Sequence, residues 1–310
     1  MRARTLLHAG GAVVAALALV ALAASTRFRR APPHRAEYVG VGALRLRYVR
    51  AGRGPTVVLV HGFGESLLAW RSVFDRLAED HDVIALDLPG FGLSSKPATG
   101  YATDSLAQDL LGALDALRVR RAVLVGHSMG GAVVAAAALA DTARVQAVVL
   151  LDAALVGAPA PVTDARRGFT SGAGAGAAIA EYEALRTRFA APHDPGWLAE
   201  PDSARRYTPA GDDSYRTAVQ AVLREFDFDY LTDERASRWR THTLVLWGQY
   251  DEVFTVARGR RLADRLAGSR FEIVPRTWHR PHEERPEETG AALERFLQGL
   301  QVGQKGAGTP

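Results

Sequence analysis

Six short apolar runs recur along this chain, each closed by a small or polar residue. They cover residues 57–60 before His61-Gly62, 83–86 before Asp87 and 122–125 before Gly126. The others cover 148–151 before Asp152, 244–247 before Gly248 and 271–274 before Pro275. A run that is apolar at every position presents apolar side chains to both faces of a strand. That pattern suits a parallel sheet covered by helices on each side. Helical periodicity fills the gaps, over 68–79, 103–117, 129–141, 255–267 and 283–300. Strand alternating with helix predicts an α/β, doubly wound, mostly parallel sheet. Residues 38–49, which alternate in Leu44-Arg45-Leu46-Arg47-Tyr48, predict an antiparallel hairpin at its edge.

The alternation fails in one place and then returns. Residues 37–153 and 241–302 read as the core, and 154–240 as an inserted helical cap. The insert holds the run Gly172-Ala173-Gly174-Ala175-Gly176 and the aromatics Trp197, Tyr207, Phe226, Phe228 and Tyr230. Open α/β sheets bind ligands at the carboxyl ends of their strands, where such a cap would sit. The Gly-Ala run is not a phosphate loop, because no strand precedes it and no Lys-Ser/Thr pair follows. Residues 303–310 are expected to be a disordered tail.

Residues 1–36 stand apart. The stretch 5–24 is almost wholly apolar, and twenty helical residues span roughly 30 Å, the hydrocarbon thickness of a bilayer. Arg2 and Arg4 precede it; Arg27, Arg29 and Arg30 follow. It reads as a membrane anchor, with a cleaved signal ending near Ala21-Leu22-Ala23 or a buried core helix as alternatives. Arginines directly after the segment resist translocation and favour the uncleaved anchor. Charge on both flanks leaves the orientation open. The protein is therefore expected to be membrane-anchored or exported. Residues 31–34 read as an extended linker.

Composition removes several function classes. With 47% hydrophobic and 23% charged residues, the chain is not a disordered polymer. It has no Cys, which excludes disulfides, thiolate nucleophiles, Cys-ligated zinc and iron–sulfur clusters. Its 38 Lys and Arg are interspersed with 34 Asp and Glu, without the clustering of a nucleic-acid footprint. Almost all of the bases are Arg; Lys occurs only at Lys96 and Lys305.

Gly126-His127-Ser128-Met129-Gly130-Gly131 carries the chemistry. It fits G-x-S-x-G and lies between an expected strand and an Ala-rich helix. A nucleophile on a tight strand-to-helix turn occupies a strained backbone, and side chains at 126 or 130 would collide with that turn. The helix N-terminus beneath favours negative charge developing on a substrate.

These residues resemble the α/β-hydrolase family, and the likeness extends over about 38–300. His61-Gly62-Phe63-Gly64 is similar to the family's oxyanion loop, which implies backbone N–H donors from Phe63 and from Met129. The run from Asp87 to Ser94 resembles a structural D-x-P-G-x-G-x-S turn. The segment 246–251 looks like the acid loop, and 278–283 like the loop that bears the general base. The resemblance implies a triad of Ser128, His279 and Asp251 in this fold's chain order. It departs from the family at Trp278, where Gly is usual.

Alternatives attach to two members. His282 competes with His279 but reads as the start of the last helix. His61 belongs to the oxyanion loop, and His127 is expected to point away from the site. Asp152, also at a strand end, is the alternative acid. A His279–His282 pair lacks a third metal ligand nearby in sequence, so no metal and no cofactor are expected.

The implied activity is serine hydrolysis of an ester, or a related acyl bond, in a fairly apolar small molecule. Epoxide hydrolases and haloalkane dehalogenases of this fold use Asp at the nucleophile position, so Ser128 disfavours them. Carbon–carbon hydrolysis, lactone hydrolysis and perhydrolysis use the same residues. A non-catalytic ligand receptor on this fold is the rival from another class, disfavoured because all three triad residues are present.

Overall fold

Each of the six apolar runs forms a strand in the computed structural model, which describes residues 33–158, 163, 197–198 and 212–306. The strands are β1 (Glu37–Val41), β2 (Leu44–Ala51), β3 (Thr56–Val60), β4 (Asp82–Leu86), β5 (Ala122–His127), β6 (Val145–Leu151), β7 (His242–Gly248) and β8 (Arg270–Val274). They make one sheet in the order β1-β2-β4-β3-β5-β6-β7-β8. β1 and β2 are the expected antiparallel hairpin, β2 joins β4 antiparallel, and every later pairing is parallel.

Successive side chains leave a strand on opposite faces, so each apolar run feeds two cores. On β3, Val58 and Val60 enter one core and Val57 and Leu59 the other; on β5, Leu124 and Val125 part in the same way. The first core is covered by α2 (Thr103–Ala116) and α3 (Met129–Ala140). The second is covered by α1 (Arg71–Ala78) and the C-terminal helix α8 (Pro286–Gly306). Helix α3 is buried on every side from Met129 to Ala138. Its Gly and Ala residues let its backbone lie close to the strands and to α2 at once.

The segment 154–240 contributes α4 (Asp213–Glu225) and α5 (Asp233–Ser237) among the described residues. Asp212 caps α4 by accepting from the N–H groups of Ser214 and Tyr215. The carboxylate of Glu225 accepts from the N–H groups of Gly100 and Tyr101, at 2.9 and 2.8 Å. Asp227 N–H donates to Thr103 Oγ1 at 3.1 Å. These bonds tie the end of α4 to the start of α2. The Gly-Ala run at 172–176 and Tyr207 lie outside the described residues.

Two boundaries differ from expectation. The helix expected over 283–300 is two helices, α7 (Pro281–Glu284) and α8, after α6 (Val256–Arg265). Pro286 cannot donate an N–H and opens α8 at its first position. His282 therefore lies in the short α7, not in the last helix. Helix α8 continues to Gly306, past the residue at which the tail was expected to begin. Among the described residues, no helix is long and apolar enough to cross a membrane. The segment 5–24 lies outside the described residues.

Candidate active site

Strand β5 ends at His127 and α3 begins at Met129, leaving Ser128 on the turn between them. Its φ of 50° and ψ of −117° lie in a region that L-residues rarely adopt. Such strain costs about 1–3 kcal/mol and persists only where neighbours over-determine it. Here the main chain does so: Ser128 N–H donates to Leu151 O, and Ser128 O accepts from Gly131 and Ala154 N–H, each at 2.9 Å. A Cβ on Gly126 would strike the backbone of Gly130, and one on Gly130 would strike the carbonyls of Val60 and His61. Small residues are obligatory at both places. Met129, as the first residue of α3, has an N–H without an intrahelical acceptor. Phe63 is half-buried in the loop after β3, edge-on to Phe91 at 5.8 Å.

The expected base and acid meet the serine. His279 Nε2 lies 3.1 Å from Ser128 Oγ, and His279 Nδ1 lies 2.9 Å from Asp251 Oδ2. With its proton on Nδ1 donated to the carboxylate, the ring presents Nε2 as an acceptor to the hydroxyl. Asp251 Oδ1 accepts from the N–H groups of Val253 and Phe254, at 2.8 and 3.0 Å, which fixes the carboxylate. The Trp at 278 is accommodated. Arg118, Ser128, Asp152 and Arg276 are the non-glycine residues with positive φ among those described, so Trp278 needs no left-handed backbone. Glu284 instead accepts from both Trp278 and Arg280 N–H, at 2.6 and 2.9 Å, and shapes the loop around the histidine.

Asp152 lies behind the acid. Its carboxylate, that of Asp251 and the His279 ring lie within 4.8 Å of one another. Asp152 is fully buried, and its Oδ1 accepts from Gly248 N–H at 2.8 Å. Burial, and then the charge of Asp251, push its pKa well above the ordinary carboxylate value. For Asp251, burial acts upward, but His279 and a hydrogen bond from Asp152 outweigh it and hold the pKa below its ordinary value. The pair thus keeps its proton on Asp152 and its charge on Asp251. Asp152 makes no hydrogen bond to His279, so of the two aspartates it is Asp251 that orients the ring.

A second buried network, which sequence reasoning missed, joins the three loops. Glu65 Oε2 accepts from Gly62 N–H at 2.9 Å and lies 3.1 Å from His127 Nδ1; Glu65 Oε1 pairs with Arg280 at 3.0 Å. His127 Nε2 donates to the carbonyl of His279 at 2.7 Å. His127 therefore does not simply turn away from the site; it holds the main chain of His279. Burial disfavours ionised Glu65, but Arg280 and His127 outweigh it and keep the carboxyl well below its usual range. Arg280 also pairs with Glu283 at 2.7 Å, and Glu283 with Arg71 at 2.9 Å. The sequence signal was a lone charged residue, Glu65, inside an otherwise small and apolar loop.

The remaining candidates are structural. His61 Nδ1 donates to Gly62 O at 2.7 Å, and its Nε2 accepts from Leu88 N–H at 3.0 Å. Burial lowers its pKa. Asp87 accepts from Leu67 and Leu93 N–H and from Arg47, which makes the 87–94 segment a pinned turn. His282 is buried between Trp70 and His127, with ring centroids 4.5 and 4.6 Å away. Glu65, His127 and His282 together offer three ligand atoms within 4.8 Å, a cluster that sequence distance concealed. The Glu65–Arg280 ion pair and the two engaged nitrogens of His127 already use two of those three side chains.

Residues 55–286 match the alpha/beta hydrolase fold family. The uncharacterized hydrolase YugF of Bacillus subtilis (strain 168) is 31% identical over 261 residues, spanning 80% of this chain and 91% of that protein. The 2-hydroxymuconate semialdehyde hydrolase of Pseudomonas sp. (strain CF600) is 30% identical over 252 residues, 78% of this chain and 86% of that one. The crystal structure of a membrane phospholipase A, a bacterial virulence factor, is similar with a TM-score of 0.70 and 28% identity. That likeness covers 96% of this chain and 97% of the other. By its sheet order, its strained serine turn and this match, the chain belongs to the α/β-hydrolase fold family and is a hydrolase of that fold.

Proposed function

We propose that the chain is a serine hydrolase that cleaves a carboxylic ester of a fairly apolar small molecule through Ser128, His279 and Asp251. The observation that carries this reading is the unbroken line of contacts from Ser128 Oγ through both nitrogens of His279 to Asp251. A serine hydroxyl is a weak nucleophile and needs such a base. Ser128 Oγ attacks the acyl carbon while its proton passes to His279 Nε2. The N–H groups of Phe63 and Met129 receive the developing oxyanion. His279 then gives that proton to the leaving alcohol, and the acyl group stays on Ser128. Water, deprotonated by His279, releases the carboxylic acid and restores the serine. A fluorophosphonate probe tests this directly. Rapid labelling of the native chain, absent in Ser128→Ala, supports an activated serine, and no labelling overturns it.

A second reading on the same residues is carbon–carbon hydrolysis of a ring-fission product, favoured by the likeness to the Pseudomonas 2-hydroxymuconate semialdehyde hydrolase. Parallel turnover of ring-fission dienoates and of esters graded by acyl length separates the two.

Residues 5–24 fit an anchor that brings this site to membrane-soluble substrates. The apolar span and its arginine flanks support that placement, as does the likeness to a membrane phospholipase A over nearly the whole chain. Fractionation tests it. The full chain should sediment with membranes, and a chain beginning at residue 31 should be soluble and active.

A further inference from the structure

A cavity of about 690 Å³ opens at the end of the sheet opposite to Ser128, under the amino ends of β3, β5, β6, β7 and β8 and beside the last turns of α8. This volume lies within the range of small-molecule sites. Strand β5 runs from this cavity to the serine. Its six residues rise about 3.3 Å each, so the two places are roughly 20 Å apart. Nothing in the proposed reaction uses the far end.

Its walls and its rim differ in chemistry. Val57, Val123, Val145, Phe296 and Leu297 line it and are buried. Arg121, Arg240, Arg270 and His242 line it and are exposed, with His81 buried among them, and no Asp or Glu lines it. Among the described residues, neither Arg121 nor Arg240 has a carboxylate within ion-pair distance. The Arg240 guanidinium is steadied by the carbonyls of Ser237 and Trp239, at 2.9 and 2.7 Å. Arg270 shares the single carboxylate of Glu272 with Arg295. The rim therefore carries a surplus of positive charge above an apolar interior. Arg121 and Arg240 stand at the feet of β5 and β7, which are separated only by β6. Two strand spacings are roughly 10 Å, so one anionic group lies within reach of both arms.

We propose that this cavity is a second ligand site, for the carboxylate of a fatty acid. Its chain would lie against Pro55, Ala143, Leu300 and the edge of Phe296, and its head group between Arg121 and Arg240. Guanidinium groups hold a carboxylate through paired, charge-assisted hydrogen bonds. Burying the chain supplies the apolar gain that inorganic anions lack. The chain's own N-terminal segment is a poor occupant. Residues 1–36 contain Arg2, Arg4, Arg27, Arg29, Arg30 and Arg35 and no acid, so they meet the rim with like charge. The assignment does not depend on any role for Ser128.

Calorimetric titration of the full chain with decanoate tests it, with decanol and decyltrimethylammonium as controls. Decanoate should bind at least tenfold more tightly than either control. Two variants should each weaken decanoate binding at least tenfold. Arg121→Ser/Arg240→Ser removes the rim charge from exposed positions. Gly299→Trp fills the mouth, since a Cβ on that lining glycine meets nothing within 4 Å. Turnover of a short, water-soluble ester should stay unchanged in both, which separates this site from the serine. Unchanged decanoate affinity in the double arginine variant overturns the proposal. So does equal binding of decanol, which would make the cavity a purely apolar groove. So does a gain of affinity on removing residues 301–310, which would make the chain's own tail the occupant.

Discussion

His127 Nε2 lies 2.7 Å from the carbonyl oxygen of His279. The residue before the serine thus grips the main chain of the histidine that faces the serine. Turn and base loop are joined twice, once through Ser128 Oγ and once behind it. Replacing His127 by Ala should lower kcat roughly ten- to a hundredfold, because misplacement of a catalytic group by about 1 Å costs up to that much. KM should change little, since His127 is buried and not open to a ligand. Steady-state kinetics, with circular dichroism to confirm folding, check this.

Glu65 holds the loop after β3 from the same network. Glu65→Gln keeps an oxygen for Gly62 N–H but removes the buried negative charge that faces Arg280 and His127. Glu65→Gln should therefore destabilise the fold by about 3–5 kcal/mol, the usual cost of breaking a buried ion pair from one side. The folded-state pKa of Glu65 is depressed, so the stabilisation is full above the ordinary carboxylate range. It is lost as pH falls below that range towards the folded value. Denaturant titrations from pH 3 to pH 7 should show the variant and the native chain converging at the acid end.

The two aspartates should separate cleanly. Asp251→Asn removes the charge that faces His279 and can hold the ring in the wrong tautomer. A loss of about 10⁴-fold in kcat accompanies that change in a related triad. Asp152→Asn should cost only a few-fold, because an amide imitates the protonated carboxyl already present there. Near-native turnover in Asp251→Asn, with loss in Asp152→Asn, would reverse the assignment.

Asp152 also has a signature in stability. Its folded-state pKa is raised, so the folded form binds the proton that the unfolded form releases above about pH 4. The favourable contribution is complete below that pH and is lost as pH rises towards the folded value. Asp152→Asn abolishes this dependence. Compared with the native chain, the variant should gain in relative stability between pH 4 and pH 8 in thermal melts.

Gly130→Ala offers a steric test. The added methyl would enter the carbonyls of Val60 and His61, which cannot retreat without breaking β3. A loss of roughly 3 kcal/mol or an insoluble product is expected. Soluble expression at the native melting temperature would contradict the packing described here.

The parallel sheet was legible because strands buried on both faces must be apolar at every position, as residues 57–60 and 148–151 are. Ser128 was legible because the glycines around it answer a steric demand that no other residue meets. His279 and Asp251 were reached through the likeness of their loops to a family; the contact between them spans 28 residues and leaves no local pattern. The supporting groups were not legible. Glu65, His127 and Arg280 come from three separate segments, and only folding buries them together. His282 was misread because Pro286 starts a new helix four residues later, a break that apolar periodicity does not register. Asp152 was recognised as a strand-end aspartate, but its proton is a property of its burial and of the charge beside it.

The carbonyl and amide of Ser128 are bonded to Leu151, Gly131 and Ala154, all through main-chain atoms. The place of the Ser128 hydroxyl is thus inherited from peptide groups that every sequence possesses. Side chains elsewhere can then differ without shifting it. Under the proposed reading, substrate preference can therefore change through side chains while the position of Ser128 Oγ is kept.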